Sequence, residues 1–163
     1  MKRMIVNKYG GPENLILDHI DSLLITELSV KIKVANIGVN FADTLIIRGR
    51  YQERPRPPFS PGLELSGTVI EIGSKVLNHQ IGDRVIGIAK FGAYCNEIVM
   101  PAENVYKIPD NMDFISAASF PVAYGTAFGA VDWKGKLQKG QTCLIIGAAG
   151  GVGLAAVELA AAY

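Results

Sequence analysis

Through the first part of the chain the apolar positions recur at every second residue, in short runs broken by glycine, proline and polar turns. Val30-Lys31-Ile32-Lys33-Val34 alternates apolar with charged, which suits a strand with one face in a core and the other in water. Met4–Tyr9 alternates in the same way, Gly10-Gly11-Pro12 supplies a turn, and Leu15-Ile16-Leu17 resumes the pattern. Further strands are predicted over Thr68–Gly73, Asp83–Ile88, Ala93–Met100 and Val105–Ile108, with one short helix over Phe41–Arg48. Closely spaced short strands of this kind predict a barrel or a sandwich. Gln52–Pro61 (QERPRPPFSP) holds four of the eight prolines. Proline fixes φ and removes a donor, so this segment reads as a stiff extended loop.

The pattern changes after Pro109. Asp113 is placed to cap a helix starting at Phe114, and Pro121 to open a second helix running through Val131 (PVAYGTAFGAV). Lys134-Gly135-Lys136 and Lys139-Gly140 mark turns. Thr142-Cys143-Leu144-Ile145-Ile146, bounded by Gly140 and Gly147, reads as a strand buried on both faces, as in a parallel sheet. Leu154–Tyr163 is an alanine-rich helix whose one charge is Glu158. The expected organisation is a mainly β domain over residues 1–120, then the start of an α/β domain over 121–163.

Composition narrows the function. Of 163 residues, 49% are apolar, enough for a real core, which excludes a disordered chain. Lys and Arg number 16 against 15 Asp and Glu, a formal charge of +1 with no block of one sign. That argues against an electrostatic footprint for nucleic acid or an anionic membrane. Two cysteines, Cys95 and Cys143, make no disulfide framework, and a reducing cytoplasm suits them. Met1–Tyr9 lacks the apolar run of a signal peptide, and Cys143–Val157 falls short of the ~20 residues that span a bilayer.

Three constellations carry candidate chemistry. The first is Gly147-Ala148-Ala149-Gly150-Gly151-Val152-Gly153, between the predicted strand and helix. A dinucleotide pyrophosphate needs bare N–H groups at a helix N-terminus with no Cβ in the way. Gly150 and Gly151 allow that approach, and Gly153 allows tight packing of the helix. A glycine turn that only packs two buried elements is the alternative. The second is Asn40 with Asp43 three residues on, sharing a helical face and matching a capping box. The third is Glu64 between Gly62 and Gly67, read as a structural ion-pair partner rather than a general base. His19 and His79 are expected in turns facing solvent, in no metal-ligand pattern.

Taken together and in order, residues 37–51 (IGVNFADTLIIRGRY), 61–73 (PGLELSGTVIEIG), 82–87 (GDRVIG), 91–101 (FGAYCNEIVMP), 122–131 (VAYGTAFGAV) and 146–160 (IGAAGGVGLAAVELA) resemble the medium-chain dehydrogenase/reductase superfamily. Within it they resemble the zinc-free NADPH-dependent quinone oxidoreductases related to zeta-crystallin. The resemblance implies a GroES-like β-barrel catalytic domain with short helices, then the first βα unit of a Rossmann domain, with the active site in the cleft between the two domains. It implies no zinc. Zinc-dependent relatives carry Gly-His-Glu where this chain has Gly62-Leu63-Glu64, and a cysteine ligand near the position of Asn40, and they carry a four-cysteine lobe that has no counterpart here.

By the same resemblance, Asn40 and Thr126 flank a nicotinamide and Tyr51 borders the substrate, while Gly150, Gly151, Val152 and Gly153 meet the pyrophosphate. Asp43 matches a family position and is a candidate catalytic residue, though orienting the local helix is its other reading. Leu45 stands where some relatives have tyrosine, which makes the pocket more apolar. The expected function is zinc-independent hydride transfer from NADPH, with NADH left open, to a quinone or enone. A non-catalytic binding or structural module on the same fold is the alternative. The implied partners are a small-molecule acceptor and, at full length, a second copy in a homodimer. The chain reads as the N-terminal portion of a longer enzyme, inactive on its own, because one βα unit has no partner strand.

Overall fold

The alternation in the first part of the chain becomes seven strands: β1 (Lys2–Val6), β2 (Leu15–His19), β3 (Ser29–Ile37), β4 (Glu64–Ile72), β5 (Arg84–Ile88), β6 (Glu97–Pro101) and β7 (Val105–Lys107). The structure is a computed structural model describing residues 1–163, and it divides into two units, Met1–Ser119 and Phe120–Tyr163.

In the first unit five strands make an antiparallel sheet in the order β6-β3-β4-β5-β7. β3 is paired on both sides, and its apolar residues meet apolar partners there, Ile32 opposite Val69 of β4 and Ile98 of β6. Val30, Ile32, Leu65, Val69, Val85, Ile98, Met100 and Val105 close this core. The charged positions of β3 go elsewhere: Lys33 is exposed, and the Lys31 ammonium lies 2.7 Å from Glu71 on β4.

β1 and β2 form a separate two-stranded ribbon, too small to stand alone in water. Its N–H groups tie it to the loops: Met4 donates to the Tyr94 carbonyl and Val6 to the Phe59 carbonyl, each at 2.8 Å. Val6 and Phe59 then pack with Ile46 and Ile47 of α1 (Phe41–Ile47) in a second small core. The proline-rich segment is the expected loop, touching β1 through a single bridge at Phe59.

Helix α2 (Phe114–Ala118) starts where the Asp113 cap predicted, its carboxylate accepting from the N–H groups of Ile115 (2.8 Å) and Ser116 (2.9 Å). Arg84 of β5 secures the approach to it. Its guanidinium donates to the carbonyls of Asp110 (2.8 Å) and Met112 and lies 4.7 Å over the Phe114 ring.

His79 departs from expectation. It is buried rather than solvent-facing, with Nε2 at 3.3 Å from the Ala102 carbonyl and Nδ1 at 3.8 Å from Asp83. It is taken inside where one ring nitrogen meets the Ala102 carbonyl and the other faces the Asp83 carboxylate. His19 is exposed, at the end of β2 rather than in a turn.

In the second unit α3 spans Phe120–Phe128 and passes into a π-helical turn over Gly129–Lys134, so the expected helix through Val131 is α-helical only for its first part. α4 spans Gly151–Ala161. Ala127, Val131, Ala155 and Ala156 form their shared core. Small side chains let the two helices approach closely, and Tyr124–Glu158 and Tyr163–Asp132 hydrogen bonds join α3 and its π turn to α4 and its end.

The buried strand expected at Thr142–Ile146 does not form. The segment has no strand pairing, and Leu144 and Ile146 are 86% and 91% exposed. A strand needs a neighbour for its N–H and C=O groups, and Phe120–Tyr163 contains no second strand to provide one.

Candidate functional site

The sequence-predicted group around Asn40 is assembled by α1 and the start of β4. Asn40 is the N-cap of α1, and with Asp43 it forms the expected capping box, Asp43 Oδ2 accepting from the Asn40 N–H at 2.8 Å. The Asn40 side chain reaches across to β4, where its Nδ2 donates to Glu64 Oε1 at 2.7 Å. Glu64 thus accepts from an amide at this point.

Asp43 and Glu64 are each only 1% exposed. Burial drives the Asp43 carboxyl above the usual carboxylate range, opposed by hydrogen bonds from the Asn40 N–H, the Tyr94 hydroxyl and the Gly62 N–H. The Tyr94 hydroxyl donates to Asp43 at 3.2 Å, and the Asp43 Oδ1 atom has no hydrogen-bond partner. Tyr94 is pushed well above the ordinary phenol range, by burial first and by the charge of Asp43 second. Gly62 lets these groups meet: at φ +102, a Cβ there would lie 2.4 Å from the Tyr94 ring.

Tyr94 is the member of this cluster that the sequence did not single out. It lies 51 positions from Asp43, and no local spacing signals such a partner. Tyr51 lies apart from these contacts, half-buried against the Val6, Ile46, Ile47 and Phe59 core. Cys95 nearby is chemically quiet, burial pushing its thiol up to about 11.

The second unit carries the glycine turn. Gly147 takes φ +76, Gly150 N–H donates to the Gly147 carbonyl at 3.0 Å, and the first regular helical bond runs from Leu154 N–H to the Gly150 carbonyl at 2.8 Å. No side chain caps this helix start. The N–H groups of Gly151, Val152 and Gly153 are therefore presented bare, at the positive end of the eleven-residue helix α4. A Cβ at Gly151 would meet nothing within 4 Å, so the space in front of it is open. A Cβ at Gly153 would lie 2.2 Å from the Gly147 carbonyl, so this glycine packs the helix on the turn rather than on a strand. Bare N–H groups at the positive end of a helix attract an anion. Thr126 is exposed on α3.

No group of three or more His, Cys, Asp or Glu side chains is arranged to hold a metal ion, and position 63 is leucine, which has no donor atom to offer one. No helix is long and apolar enough to cross a membrane.

A five-stranded antiparallel sheet with a short helix and a buried polar anchor makes up the unit that a known family matches. The family described as "Alcohol dehydrogenase GroES-like domain" matches residues 26–110, and the chain belongs to that family. It is 41% identical over 161 residues to the quinone oxidoreductase-like protein 2 homolog of Nematostella vectensis, covering 98% of this chain and 44% of that protein. Among solved structures it is similar to the human synaptic vesicle membrane protein VAT-1 homolog-like protein, with a TM-score of 0.96, 34% identity, and 99% of this chain and 52% of that one covered. It is also similar to Escherichia coli quinone oxidoreductase complexed with NADPH, with a TM-score of 0.93, 31% identity, and 99% and 50% covered. The chain thus spans about half the length of the proteins it matches. Its fold is the GroES-like, sheet-dominated one expected, within the medium-chain quinone oxidoreductase group.

Proposed function

We propose that this chain serves an NADPH-dependent reductase of quinones or enones that works without zinc. The observation that carries the reading is the uncapped first turn of α4 behind the Gly147–Gly153 turn, a built cradle for a diphosphate in a chain of this family. Gly150, Gly151, Val152 and Gly153 hold the pyrophosphate through their main chain, with the helix dipole adding to the attraction. Asn40 and Thr126 are assigned to the nicotinamide and Tyr51 to the acceptor, an assignment that rests on the family motif. Bound NADPH supplies the hydride.

A quinone or enone is already electron-poor, and the charge that develops on it delocalises. Placement and hydrogen bonding then suffice where a simple ketone calls for a Lewis acid. Asp43 sits behind Asn40, out of reach of solvent, and contributes by orienting the start of α1. A reducing cytoplasm and a homodimer at full length complete the proposal, the former in keeping with the free thiols of Cys95 and Cys143.

The test follows nicotinamide oxidation by the protein at its full encoded length, with 1,4-benzoquinone and with a simple enone. NADPH consumption with either is the expected result, and no turnover with both rejects the reading. The exposed Leu144 and Ile146 favour a second reading for residues 1–163 in isolation, a module that binds NADPH feebly and turns nothing over. Calorimetry giving micromolar NADPH affinity for those residues alone overturns that one.

A further inference from the structure

We propose that Glu64 is the positioning residue of the nicotinamide site: its buried carboxylate locks the Asn40 amide in one rotation and so decides which end of that amide a ligand meets. The inference rests on the assignment of Asn40 to the nicotinamide. Glu64 is the first residue of β4, paired with Ile88 of β5, and its carbonyl accepts from Gly38 N–H at 3.2 Å. Its backbone is therefore fixed by the sheet. Gly38 makes room for the side chain, since a Cβ there would fall 2.2 Å from Glu64 Oε1 and 2.5 Å from its Cγ.

The contact has a direction. A carboxylate oxygen only accepts, so it tolerates only the nitrogen end of the amide, which it meets at 2.7 Å. Turning the amide over would set Asn40 Oδ1 against Oε1 in a region of low dielectric, with no proton between them. The anchor also exceeds what the helix start needs. Asp43 already secures the Asn40 main chain, and Asp43 is itself held by Tyr94. The Glu64 contact adds control of the side chain alone.

The test compares wild-type protein at full encoded length with Glu64→Gln, Asn40→Ala and the double variant. Three quantities are measured: the Asn40 side-chain amide protons by NMR without ligand, the NADPH dissociation constant by fluorescence titration, and the melting temperature. Glutamine keeps the volume but both donates and accepts, so either amide rotation becomes possible. The expected result is two distinct, slowly exchanging Asn40 Nδ2 protons in the wild type that broaden and exchange faster in Glu64→Gln. NADPH binding weakens about fivefold, the gap between a charge-assisted and a neutral hydrogen bond. Glu64→Gln then causes no further loss in the Asn40→Ala background.

Glu64→Asp keeps the charge but withdraws it by one methylene. It gives the same weakening, so the outcome does not hang on one variant's folding. Unchanged Asn40 protons in Glu64→Gln overturn the proposal, as does an equal loss of affinity with and without Asn40, which would mark Glu64 as merely structural. If the expected binding pattern holds but no quinone or enone is reduced, the reductase reading fails and the positioning role stands. If the wild type binds no NADPH, or Asn40→Ala binds as well as wild type, the nicotinamide assignment and this proposal fall together.

Discussion

The two units solve the problem of burial in opposite ways. Met1–Ser119 closes its core with large branched side chains from several strands, and Ile32, Leu65, Val69 and Val85 lose all contact with water. Phe120–Tyr163 rests on alanines and one valine between two helices, and it leaves Leu144 and Ile146 in solvent. The first has strands enough to satisfy one another. The second has a strand-like segment with nothing to pair with. The difference shows that an apolar run is not a core. A strand becomes buried only when its neighbours exist, whereas a helix meets its own hydrogen bonds and needs only one face covered.

The largest expected effect sets these regions directly against each other. Leu65→Ala removes a side chain with no exposure and should cost about 2–5 kcal/mol in chemical denaturation followed by circular dichroism. Leu144→Ala, the same chemical change at an 86% exposed position, should stay within about 0.5 kcal/mol. Comparable losses would erase the contrast.

Next in size is Gly153→Ala. Its new Cβ meets the Gly147 carbonyl at 2.2 Å, so the turn must shift, at about 1–3 kcal/mol. The readout is the melting of the second unit by fluorescence of Trp133, the chain's one tryptophan. Gly151→Ala, whose Cβ meets open space, should melt like wild type while weakening NADPH binding at full length.

A smaller effect separates two carboxylates by sign. The Asp43 carboxyl is raised in the folded state, so the stability tied to it is fully present below the unfolded value of 3.8 and is lost as pH rises through the raised value. Asp113 is lowered by the Ser116 and Ile115 hydrogen bonds, so its contribution is present above 3.8 and is lost as pH falls through the lowered value. Melting curves across acidic pH should lose the falling limb above 3.8 in Asp43→Asn and the rising limb below it in Asp113→Asn.

The smallest effect is chemical. Iodoacetamide near neutral pH should label exposed Cys143 and spare Cys95, whose half-buried thiol stays protonated up to about 11. Mass spectrometry of the labelled peptides reads the ratio. Equal labelling would mean that the first unit opens as readily as the second.

Much of the first unit was legible residue by residue. Alternation over Val30–Val34 marks β3, Asn40 and Asp43 form the capping box their spacing suggests, and Asp113 caps α2. These features depend on contacts only a few residues apart. The partners that complete the candidate site do not. Glu64 meets Asn40 across 24 positions and Tyr94 meets Asp43 across 51. The burial of His79 is not legible locally, since a turn-like neighbourhood says nothing of the distant Ala102 carbonyl that its ring meets. The Thr142–Ile146 segment has the composition of a buried strand but no strand beside it to pair with.

Local order, then, was written into periodicity and capping, where a residue's near neighbours settle its conformation. The glycine turn and the start of α4 belong to that class, since bare N–H groups follow from glycines and helix geometry alone. Strand order, burial of the polar cluster and the grip of Glu64 on Asn40 emerged only on folding. A hydrogen bond depends on ångströms and angles, and folding alone brings distant segments within that range.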